Sequence, residues 1–131
     1  MSQRIIFALV AVLGIAMYAN GAYMLASPTS WYNTVPGVGR TGLFNQHFIR
    51  DIGILYLFIG SAFLLGLARA DVRRWLWGGA TLWLTCHAVF HFIEVATGIC
   101  SPSYLATEFP AVTLPALIGI AATMHAARNA R

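Results

Sequence analysis

The sequence predicts an all-α integral membrane protein, a four-helix bundle with both termini cytoplasmic, and three observations predict it. Apolar residues fill 59% of the 131 positions and charged ones 9%, with a mean hydropathy of +0.71. That balance leaves too little polar surface for an ordinary water-soluble domain. Four apolar runs, roughly 5–26, 46–68, 75–97 and 111–128, follow one another within a single domain spanning 1–131. Each is close to the about 20 residues that a helix needs to cross the hydrocarbon core, whereas a β-barrel would show short alternating segments. The third observation is where the charge sits. Arg4, then Arg69, Arg73 and Arg74, then Arg128 and Arg131 fall at the N-terminus, in the second connection and at the C-terminus. With four crossings these regions share one side, which the positive-inside rule makes cytoplasmic.

The net charge of +4 therefore reflects membrane orientation, with the lipid bilayer as the partner. The chain has no Lys and no basic run with interleaved aromatics, so nucleic-acid binding is excluded from the reading. The first run carries Arg4 ahead of Ile5–Met17 and small residues at Ala22–Ala26, features a signal peptide shares. It is read as a membrane helix, with Gly14 and Gly21 on one face for close helix contact and Asn20 as a hydrogen-bonding group.

Residues 27–45 form the longest connection. Pro28, Pro36, Gly37, Gly39 and Gly42 are turn formers, and Trp31 and Tyr32 suit a membrane interface. This connection is expected to fold back as a lid on the non-cytoplasmic side. The second helix opens at Asn45, a candidate N-cap. The connection to the third helix is short, so those two helices are expected to be antiparallel neighbours. Ile99–Pro110 is a second outer loop, and Pro115 is tolerated in the first turns of the fourth helix. Cys86 lies about 16 Å deep in the third helix and Cys100 in the outer loop, too far apart for a disulfide.

The chemistry-bearing residues concentrate in two stretches. On a helix His87, His91 and Glu94 fall within an arc of about 60°. His47 and Asp51 stand at i, i+4 spacing in the first turns of the second helix. Counting about 1.5 Å per residue puts His47 near the level of Glu94 and Asp51 near His91. Five groups of this kind around one pocket supply the ligand types for a transition metal, iron, zinc or copper. In that reading Arg50 balances carboxylate charge and Asn45 contributes to the surrounding shell. Redox chemistry on a lipophilic molecule would then be open to the site.

Two other readings use the same residues. Ionisable groups inside a membrane demand partners, and Arg50 paired with Glu94 or Asp51 would make a metal-free ion-pair network. The protein would then be a non-enzymatic subunit of a larger membrane complex or a homo-oligomer. Haem b would need one axial histidine from each helix, such as His47 with His87 or His91, beside Phe48, Phe90 and Phe92.

The stretch Trp31-Tyr32-x-x-Val35-Pro36-Gly37-Val38, followed by Phe44-Asn45-x-His47-Phe48-Ile49-Arg50-Asp51-x-Gly53 and later His87-Ala-x-Phe-His91, resembles a group of small four-helix bacterial membrane proteins without an assigned activity. The resemblance implies the fold and a bacterial inner-membrane setting, and adds no reaction, cofactor or partner.

Overall fold

A computed structural model describes residues 2–129. Arg131, one of the charges assigned to the C-terminal end, lies outside the described residues. Among the described residues the chain is all-helical, with no strand, and the elements run α1 (Gln3–Ala26), α2 (Pro28–Thr34), α3 (Val38–Thr41), α4 (Gln46–Ala68), α5 (Arg73–Ala96), α6 (Ser103–Glu108) and α7 (Thr113–Arg128). The two long connections thus carry short helices of their own. Pro28 at the first position of α2 and Pro102 just before α6 fix φ for a helical start, which explains why these segments coil instead of hanging open.

α1 packs most extensively on α4, α5 on α7 and on α4, and α1 more lightly on α7. Glycines set the first contact. A Cβ on Gly21 would lie 2.6 Å from the Gly53 carbonyl oxygen, and one on Gly60 would lie 2.6 Å from the Tyr18 nitrogen and 2.8 Å from the Gly14 oxygen. Gly14 and Gly21 on α1 therefore meet Gly60 and Gly53 on α4 backbone to backbone. At the far end of α4, Gly66 leaves room for the Trp77 indole of α5. Trp77 is fully buried and donates its Nε1–H to the Phe63 carbonyl oxygen at 3.0 Å. On the other side of α5, Thr81 and Thr123 share a hydroxyl hydrogen bond of 3.0 Å, closed over by Gly119.

α1 and α4 are long and apolar enough to cross a membrane. α5 has the length, at 24 residues, but polar groups from Arg73 to Glu94 dilute it. α7 has 16 residues and begins at Thr113 rather than 111, because residues 109–112 turn back with the Ala111 and Val112 N–H groups on the Glu108 carbonyl. Its length is about 24 Å.

Candidate functional site

The last turns of α5 hold both histidines of the third run on one face, as their i, i+4 spacing requires. They belong to a column of rings. Tyr56 of α4 meets Trp83 edge-on at 5.6 Å, Trp83 stacks on His87 at 4.9 Å with planes 13° apart, and His87 meets His91 edge-on at 4.7 Å. Phe90 approaches His91 at 6.1 Å. The column ends in a carboxylate: His91 Nδ1 lies 2.8 Å from Glu108 Oε2, with the two side chains 18% and 22% exposed. An ionised carboxylate only accepts, so the Nδ1–H donates across this contact.

Glu108 is the last residue of α6, and its backbone carbonyl accepts the N–H groups of Ala111 and Val112 at 3.0 and 2.9 Å. The turn into α7 thus holds the Glu108 backbone in place. From above, the α2–α3 connection reaches the same place. Gly37, at φ +92°, comes so close that a Cβ there would sit 3.3 Å from Glu108 Oε1. The Arg40 guanidinium lies 4.7 Å from the centre of the Tyr104 ring. The expected lid is therefore a pair of short helices, α2 packed on α1 and α4, that touches α6 through Gly37 and Arg40. It is tied to α1 by Trp31 Nε1–H donating to Asn20 Oδ1 at 2.9 Å and by the Tyr23 hydroxyl bonded to Ser30 and Thr34.

The structure does not bring the five predicted metal ligands together. Among the described residues, no three His, Cys, Asp or Glu side chains converge as a metal-ligand group. His47 and Asp51 are bonded to each other, Nε2 to Oδ2 at 3.2 Å, with 89% and 57% of their side chains exposed. They share no hydrogen bond, ion pair or ring contact with α5. The reason is the glycine contact: Gly53 and Gly60 draw α4 onto α1, and α4 meets α5 through Tyr56, Phe63 and Gly66. The face carrying His47 and Asp51 turns outward. Residue counting along the helices does not give the rotation about the α4 axis.

Arg50, expected against Glu94 or Asp51, instead donates its Nε–H to the Leu25 carbonyl oxygen at 3.3 Å, in the last turn of α1. Asn45 Oδ1 accepts the Phe48 N–H at 3.0 Å, so this side chain caps α4. Glu94 is half-buried and makes no side-chain hydrogen bond or ion pair among the described residues. Together with Glu108 it surrounds Cys100 with negative charge. Partial burial and these two carboxylates push the Cys100 thiol up from its ordinary value. Both cysteines are free thiols.

Glu108 and Trp83 are the partners that sequence reasoning missed. Glu108 carried a signal, being one of only four acidic residues in the chain. An acid in an apolar protein needs a partner, and His91 lies on the adjoining helix. Trp83 precedes His87 by four residues on the same helix face.

Comparison with protein-family models, curated proteins and solved structures finds no match to this chain.

Proposed function

We propose that the chain is a non-enzymatic polytopic membrane subunit in which α1, α4, α5 and α7 cross the bilayer with both termini cytoplasmic. Its His91–Glu108 pair clasps α6 onto α5 at the opposite face, where the lid glycine Gly37 rests against Glu108. One observation carries the membrane reading: every long helix turns large apolar side chains outward. Val12 and Ile15 on α1, Phe58 and Leu65 on α4, Leu82 and Val89 on α5, and Leu117 and Met124 on α7 are all at least half exposed. Water would penalise such a surface by roughly 25 cal/mol per Å², whereas lipid does not. α5 joins the span because its charged residues lie at its two ends, Arg73 and Arg74 at one and Glu94 at the other.

The clasp reading rests on what the imidazoles touch. His91 is held by Glu108, His87 is stacked on Trp83, and His47 is bonded to Asp51. A five-ligand metal centre does not fit side chains divided in this way, and neither does haem b with His47 as one axial ligand, since that ring is exposed on the start of α4. For these three histidines, hydrogen bonds and ring contacts meet the demand that a membrane helix places on ionisable groups, whereas Glu94 stands at the end of α5.

The test is labelling of single cysteines with a membrane-impermeant maleimide in a background lacking Cys86 and Cys100. Leu43→Cys and Ala106→Cys are expected to react in intact cells, and Ala70→Cys and Asn129→Cys only after permeabilisation. Reaction at positions 70 or 129 in intact cells would refute the four-crossing arrangement.

A further inference from the structure

A cavity of about 230 Å³ opens at the end of the bundle opposite the clasp, lined by Gln3, Asp71, Arg73, Arg74, His125 and Asn129. Four parts of the chain build it: the start of α1, the α4–α5 connection, the first turn of α5 and the C-terminal end of α7. We infer that it binds a phosphate ester anion, with Arg74 and Arg73 supplying the charge and Gln3, His125 and Asn129 supplying further hydrogen-bonding groups around it.

Arg73 is preset for this. Its Nε–H and one terminal nitrogen donate to the Gly66 and Leu67 carbonyl oxygens, at 2.6 and 3.1 Å, and its guanidinium lies over the Phe7 and Trp77 rings at 4.6 and 5.4 Å. The group is held at two carbonyls and two rings, yet its other terminal nitrogen has no protein acceptor among the described residues. Arg74 rests on the exposed Trp75 ring, 4.7 Å from its centre, and has no carboxylate partner among the described residues. The one acid at the cavity is already matched, because Asp71 accepts from Arg69 at 3.1 and 2.9 Å. His125 Nε2 accepts from the Asn129 amide at 3.2 Å, which leaves Nδ1 as the ring nitrogen that can donate. The His125 carbonyl, which would repel an anion, is covered by the same amide at 2.9 Å. α5 also starts here without an acidic residue in its first turn, which leaves the positive end of its dipole unneutralised.

Two sources present this chemistry, the headgroup of an acidic phospholipid and a soluble phosphate monoester. The first rests on the membrane reading above, since the cavity then lies at the cytoplasmic headgroup level, where basic pockets between helices take acidic lipids. The second does not.

The full chain in neutral detergent is titrated with phosphatidylglycerol, with phosphatidylcholine and with glycerol 3-phosphate, and bound ligand is read by native mass spectrometry. Phosphatidylglycerol is expected to bind at least about fivefold tighter than phosphatidylcholine, and Arg74→Gln to weaken it about tenfold. Gln3→Glu, which places a negative charge at the cavity, is expected to act in the same direction. Arg128→Gln removes the same charge outside the cavity and is expected to change binding less than about twofold. Arg74-dependent binding of glycerol 3-phosphate alone supports the site with a soluble ligand. Equal losses in Arg74→Gln and Arg128→Gln, or no preference for either anion, overturn it. Extraction of the protein from membranes by alkaline carbonate would sink the membrane reading by itself and leave the glycerol 3-phosphate result to decide the cavity.

Discussion

Glu108 joins three pieces of chain: its carboxylate holds α5, its backbone carbonyl starts the turn into α7, and the lid glycine Gly37 rests against it. Its neighbour Cys100 reports on that environment. Partial burial, Glu94 and Glu108 all raise the thiol, so the reactive thiolate is scarce at neutral pH. Alkylation of Cys100 by iodoacetamide is expected to be slow at pH 7, with the rate still climbing above the ordinary value of 9.0. Glu94→Gln, which removes one of the two charges, should raise the rate at pH 8 about twofold. A rate unchanged in that variant would contradict the placement of Glu94. At this scale the sequence displayed local pairs and concealed distant ones. His47–Asp51, the Asn45 cap and the His87–His91 face follow from spacing along one helix. Glu108 is 17 residues from His91 and reaches it only because α6 folds back, which no spacing rule contains.

Among the elements, the α1–α4 contact is the most constrained. Gly60→Ala would push a methyl group into the backbone of Tyr18 and Gly14, and backbone cannot yield as a side-chain end does. The expected cost is about 1–3 kcal/mol, seen as a lower melting temperature in detergent. Gly79→Ala is the control, with nothing within 4 Å of the new methyl group, and should be neutral or stabilising by up to about 1 kcal/mol. Similar melting of the two variants would contradict the backbone contact. The Gly14/Gly21 face was visible in the sequence as a surface for close approach, but its partner was not. Gly53 and Gly60 are also seven residues apart, and pairing the two glycine sets is what turns His47 away from α5.

At the scale of the whole molecule, the helical character of the four apolar runs followed from their length and composition, while α2, α3 and α6 did not, being short segments that coil against the long helices. The His87–His91 face was legible at one end of α5, and the five residues were illegible as a set, because apolar runs give length but not the rotation of each helix. Removing metal separates the possible roles of the assembly. The most direct measurement is thermal melting of the wild type, His91→Gln, Glu108→Gln and the double variant, each with and without a strong chelator. A partly buried, charge-assisted hydrogen bond is expected to give a coupling energy of about 1–3 kcal/mol between the two positions. The result expected for a clasp is that coupling, with melting temperatures that chelation leaves in place. Independent effects of the two substitutions, together with a wild type that loses several degrees on chelation, would contradict the clasp and restore a metal to the C-terminal end of α5.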